Sequence, residues 1–117
     1  MKDSNLYIFD KSIEYKSLYS YSFLHYFNSI DFFSNLDQNF FPPSSSFIIL
    51  DYSIFSYIDH PLLVTKFSKC FPFISYNNKD FKSSYFVLPP YFYGYFLKPF
   101  DFEYILNAFQ YIYEQNF

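Results

Sequence analysis

The chain has 117 residues, the length of one domain that can bury a core without disulfides or metal. Its single cysteine, Cys70, excludes an internal disulfide, and a net charge of −3 with no arginine excludes the basic face that nucleic-acid binding requires. Phe (20) and Tyr (15) dominate while Gly occurs once, a composition that coding bias in an AT-rich genome accounts for, so the aromatics do not argue for stacking on bases or sugars.

The opening MKDSNLYIFDK has neither the apolar core nor the small-residue cleavage site of a signal peptide. The longest apolar stretch, Tyr85 to Leu97, is too short for a bilayer and is interrupted by Pro89 and Pro90. A soluble, cytoplasmic protein is expected, with no membrane and no nucleic acid among its partners. No solenoid or propeller repeat is present.

Short apolar runs alternate with longer mixed segments, the pattern of a parallel sheet joined by helices. The first run, Leu6 to Phe9, is stopped by Asp10. Ser12 is the expected N-cap, with Glu14 in the first turn, of a helix of roughly 15 residues reaching about Phe27. Its apolar face is blurred because Tyr and Phe fall on every side. Ser29 to Phe33 reads as a second strand. Leu36 to Phe41 has room for one helical turn before Pro42-Pro43 and a serine run.

Phe47 to Leu50, apolar at every position, is the pattern of a central strand covered on both faces, and it ends at Asp51. Asp59 with Pro61 starts a helix expected to run to about Lys69. Cys70 to Ile74 is a fourth strand ending at Ser75, followed by a polar loop at Asn77, Asn78 and Asp80. Between Phe81 and Tyr93 any helix is cut short by Pro89-Pro90. Tyr95 to Leu97 is a short fifth strand, followed by Lys98-Pro99. The last helix is capped by Asp101, and Phe102, Ile105, Leu106, Phe109, Ile112 and Tyr113 recur at helical spacing. One α/β domain spanning residues 1–117 results, with five strands alternating with four or five helices.

In such a sheet functional groups gather where strands end. Asp10, Asp51, Ser75 and Lys98 each follow an apolar run, and their chemistry is mutually consistent. Asp51 suits attack on phosphorus to form an acyl phosphate. Asp10 and Asp51 supply oxygen ligands of the kind Mg²⁺ prefers. Lys98 and the Ser75 hydroxyl suit contacts to phosphoryl oxygens.

FIILD ending at Asp51, and GYFLKPF from Gly94 to Phe100, resemble the phosphoacceptor strand and the lysine-proline strand of response-regulator receiver domains (CheY-like). The tail KPFDFEYILNAF is similar to receivers of the LytTR class. The resemblance implies a three-layer, flavodoxin-like fold: a five-stranded parallel sheet with helices on both faces, the second and fourth of them short. It implies Asp51 as phosphoacceptor, with Asp10, Asp51 and the backbone carbonyl of Ser53 as Mg²⁺ ligands. Ser75 becomes the hydroxyl that follows phosphorylation, Tyr95 the aromatic switch, and Lys98 the phosphate-contacting lysine. The implied function is a stand-alone receiver of two-component signalling, not an enzyme. A histidine kinase or phosphotransfer protein would be its donor. With no output domain after residue 117, output is expected by binding a downstream protein, and a homodimer is a further expectation.

The chain departs from the receiver pattern at several places. Lys11 stands where a second acid is usual, and a lysine cannot ligate Mg²⁺. Phe55 lies near the place of a customary proline, and Pro89-Pro90 fall where the fourth helix runs. These departures motivate the alternative of a degenerate pseudo-receiver, a phosphorylation-independent interaction or dimerisation module. A small phosphohydrolase is a weaker possibility, since no glycine-rich phosphate loop exists and no second acid lies near Asp51. Single positions also carry plainer readings: Asp10 as a cap of the first helix, Ser75 as a strand-end serine, Tyr95 as core. Cys70 reads as a small buried hydrophobe, and His25 and His60, far apart, as no metal site.

Overall fold

The structure, a computed structural model, describes residues 1–37, 39–55, 60–77, 91–99 and 101–117, with His60 described in its backbone alone. Five strands form one sheet: β1 (Asn5–Phe9), β2 (Ser29–Phe33), β3 (Phe47–Asp51), β4 (Phe71–Tyr76) and β5 (Gly94–Leu97). All neighbours pair in parallel, in the order β2-β1-β3-β4-β5. Four helices occur among the described residues: α1 (Ile13–Phe23), α2 (Tyr52–Phe55), α3 (His60–Phe67) and α4 (Phe102–Asn116).

Side-chain alternation along the strands produces the three layers. Leu6, Ile8, Phe47, Ile49, Phe71 and Phe73 point to one face, where Tyr19 and Phe23 of α1 and Ile105 and Phe109 of α4 cover them. Tyr7, Phe9, Ile48, Leu50 and Ile74 point to the other, against Ile54 and Phe55 of α2 and Leu63 and Phe67 of α3. Phe109 lies within 5.1–5.7 Å of the rings of Phe47, Phe73, Phe23 and Phe27. These rings are core material, filling space that smaller aliphatics fill in most sheets.

The expected elements need four corrections. The first helix ends at Phe23, not Phe27: Tyr26 N–H bonds the Phe23 carbonyl and Asn28 N–H bonds the Ser4 carbonyl, turning the chain into β2. His25 therefore lies exposed in that turn and not on the helix. Between β2 and β3 two hydrogen-bonded turns, Phe40 N–H to the Asp37 carbonyl and Ser46 N–H to the Pro43 carbonyl, occur among the described residues and no helix is described there. Ser75 sits inside β4, opposite Asp51 in the register, since the strand runs on to Tyr76. A one-turn helix, α2, follows Asp51 directly.

The last helix forms as expected, with the Asp101 carboxylate accepting the Glu103 N–H at 2.9 Å. Cys70 is buried and its thiol donates to the Pro43 carbonyl. Asp59, Phe100 and residues 78–90, including the polar loop at Asn78 and Asp80 and the Pro89-Pro90 break, lie outside the described residues. No helix among the described residues is long and apolar enough to cross a membrane.

Candidate functional site

β1 and β3 are neighbours in space but the chain leaves them in opposite directions across the sheet, so their carboxyl ends border a crevice. Asp10 and Asp51 emerge there. Each is followed two residues later by a serine whose backbone N–H turns back onto the carboxylate. Ser12 N–H donates to Asp10 Oδ1 at 2.9 Å, and Ser53 N–H to Asp51 Oδ2 at 3.1 Å. Ser12 occupies the N-cap of α1 without a side-chain capping bond, so Asp10 itself ties down the start of that helix. Asp10 thus fastens the entry to α1 through Oδ1 and leaves Oδ2 to face Lys98.

Lys98 leaves the end of β5, its N–H bonded to the Tyr76 carbonyl at 2.7 Å. Its ammonium lies 2.5 Å from Asp10 Oδ2 and 2.8 Å from Asp51 Oδ1. The Ser75 hydroxyl donates to Asp51 Oδ1 at 2.7 Å, and the Ser53 hydroxyl to Asp51 Oδ2 at 2.6 Å. Asp10, Asp51, Ser53, Ser75 and Lys98, separated by up to most of the chain, therefore meet in one cluster. The cluster is closed: Asp10 and Asp51 are each 2 % exposed, Lys98 4 % and Ser75 0 %. Tyr95 stands apart on β5, half exposed, its ring 5.7 Å from that of Tyr76. Lys11 is exposed.

The two carboxylates are unequal. Burial works to raise the Asp51 pKa, but the bonds from Lys98, Ser53 and Ser75 outweigh it and hold the carboxyl below its ordinary value. At Asp10 burial prevails over the bonds from Lys98 and Ser12, and the pKa is raised. Burial opposes the charge on Lys98 as well, yet the two carboxylates keep its pKa above the usual lysine value. Two buried carboxylates against one ammonium leave a surplus of negative charge, and Asp10 carries its cost.

That surplus and the all-oxygen donor set suit a small hard cation held by few protein oxygens with water completing its shell. Of the expected Mg²⁺ ligands, the carboxylates of Asp10 and Asp51 meet in this cluster, and Ser53 joins it through its hydroxyl and N–H. No group of three or more His, Cys, Asp or Glu suited to a metal occurs among the described residues, consistent with Lys11 in place of a second acid.

The sequence reading named Ser53 only for its carbonyl and missed its hydroxyl and N–H, both spent on Asp51. It also missed Tyr15, whose ring lies 4.2 Å from the Lys98 ammonium. A signal for the first existed: Asp10-Lys11-Ser12 and Asp51-Tyr52-Ser53 repeat the same Asp-x-Ser spacing at two strand ends. Among fifteen tyrosines nothing marked the second.

No protein-family model matches the sequence, and no curated protein is significantly similar to it. Solved structures are similar in fold. A CheY-like response regulator receiver domain protein from Methanospirillum hungatei JF-1 superposes with a TM-score of 0.68 at 15 % identity, over 93 % of each chain. The response regulator StyR superposes with a TM-score of 0.62 at 11 % identity, over 92 % of this chain and 57 % of StyR. Strand order, layer arrangement and these superpositions agree: the chain has the fold of the CheY-like response regulator receiver domains.

Proposed function

We propose that this chain is a receiver-like signalling domain that accepts a phosphoryl group on Asp51 from a histidine kinase or phosphotransfer protein. The supporting observation is the placement of one ammonium, Lys98, against two carboxylates from different strand ends, with two hydroxyls on the acceptor. Asp51 is the nucleophile because its partners outweigh burial and keep it ionised, whereas at Asp10 burial outweighs the bonds from Lys98 and Ser12. A carboxylate oxygen of Asp51 forms the bond to phosphorus as the donor's bond to its leaving group breaks. The Ser75 hydroxyl and the Lys98 ammonium, both already on Asp51, then turn to phosphoryl oxygens. Asp10, Asp51 and the Ser53 carbonyl would hold Mg²⁺, which would supply positive charge to offset repulsion between the donor and the acceptor. Tyr95 reports the change at the exposed side of β5, and output passes to a downstream protein partner by contact.

Incubation with acetyl phosphate and Mg²⁺ tests this by mass spectrometry. A phosphate-sized mass gain is expected in the wild type and none in Asp51→Ala; equal labelling of both removes Asp51 as the site.

The closure of the cluster favours a second reading, a pseudo-receiver that works as an interaction or dimerisation module without phosphorylation. Asp51 is nearly inaccessible behind Lys98, and Lys11 adds no ligand. A Mg²⁺ titration separates the two: absence of binding by a folded domain that still forms a stable partner complex supports the pseudo-receiver.

A further inference from the structure

We propose that Tyr15 is a positioning residue for Lys98, an aromatic clamp that holds the ammonium in its bridge between Asp10 and Asp51 and so sets how readily the site opens. Tyr15 lies in the first turn of α1, just after the loop that Asp10 fastens through Ser12 N–H. Its ring centroid is 4.2 Å from Lys98 Nζ. The ammonium thus has Asp10 Oδ2 and Asp51 Oδ1 as anionic neighbours and the negative face of a ring as a third. An aromatic face attracts a cation most strongly where water is excluded, and Lys98 is nearly fully buried. The clamp is itself anchored. The Tyr15 ring packs at 6.0 Å on that of Tyr19, which is wholly buried in the core under α1.

The consequence concerns competition. Lys98 and a divalent cation both seek oxygens of Asp10 and Asp51, so whatever steadies the ammonium in the bridge weakens the cation and slows access to Asp51. Tyr15 does this from α1 without touching either carboxylate's role as ligand. This consequence rests on the reading of Asp51 as a cation-assisted acceptor, while the clamp itself is a property of Lys98 that can be measured separately.

The test compares Tyr15→Phe and Tyr15→Leu with the wild type. Nuclear magnetic resonance follows proton exchange between the Lys98 ammonium and water, and amide shifts follow Mg²⁺ binding. In Tyr15→Leu the ammonium protons are expected to exchange about tenfold faster and Mg²⁺ to bind about tenfold tighter, the scale of one desolvated cation–ring contact. Tyr15→Phe, which keeps the ring face, is expected to match the wild type in both. A fluorinated phenylalanine at position 15 keeps the ring's shape and removes its negative face; it is expected to behave as Tyr15→Leu, and it decides the matter should that variant fail to fold. Wild-type exchange rates in the fluorinated variant overturn the proposal. Faster exchange in a protein that binds no Mg²⁺ in any form upholds the clamp and defeats the acceptor reading instead.

Discussion

The two lysines buried among the described residues sit at opposite edges of one sheet and meet opposite electrostatic fates. Lys98, at the carboxyl edge, is 4 % exposed; Lys66, near the end of α3 and beside the amino-terminal ends of β3 and β4, is 3 % exposed. Burial alone penalises both charges. At Lys66 burial prevails over the pull of Asp37 and the pKa falls, although the ammonium donates to the Phe40 carbonyl at 2.6 Å and lies 4.2 Å from the Phe41 ring. At Lys98 two carboxylates reverse the outcome. One end of the sheet uses a lysine as a strap, fastening the segment before β3 onto α3. The other end uses a lysine as a counter-ion in a cluster whose charges do not cancel. Burial alone does not decide the charge on a lysine; the company of buried acids does.

Removing each ammonium while keeping an apolar stem breaks the comparison most sharply. Lys98→Met leaves Asp10 and Asp51 buried and unpaired, and chemical denaturation at neutral pH is expected to show a loss of about 3–5 kcal/mol. The pH dependence of stability ranks next. Lys98 has a raised pKa, so its contribution is complete below 10.5 and fades as pH rises through the raised value. Asp51 has a lowered pKa, so its contribution is present above 3.8 and fades as pH falls through the lowered value. Asp10 has the opposite sign: its raised pKa means that ionising it costs stability as pH rises through that value. Denaturation series across both limits are expected to show the alkaline loss vanish in Lys98→Met and the acid loss shrink in Asp51→Asn. The smallest effect is expected from Lys66→Met, within about 1 kcal/mol, because one carbonyl bond is lost while the cost of a buried charge is relieved. A loss as large as that of Lys98→Met would place the two lysines in one class and dissolve the contrast.

Much of the fold was legible because strands buried on both faces must be apolar throughout. Phe47 to Leu50, between a serine run and Asp51 and buried at every position, admits few other readings. The candidate site was legible in large part for the same reason, since polar residues that stop such runs mark the strand ends at Asp10, Asp51 and Lys98, whereas Ser75 lies inside β4. Helix limits were harder where aromatics run on past the helix, as at Tyr26 and Phe27, where the Tyr26 N–H bond to the Phe23 carbonyl and the tertiary bond from Asn28 N–H to the Ser4 carbonyl turn the chain out of α1. α2 escaped notice because a single turn carries no periodicity. Closure of the cluster was not legible at all, since burial of a charged trio depends on how α1 and β5 approach the crevice.

Trifluoroberyllate, which mimics a phosphoryl group on a carboxylate, gives the most direct measurement of whether this edge of the sheet takes phosphate. Fluorine resonance of the wild type with Mg²⁺ is expected to show a bound signal that disappears on chelating the metal and is absent in Asp51→Asn. A folded wild type that shows no bound signal at any Mg²⁺ concentration would contradict the assignment of Asp51 as a phosphoryl acceptor.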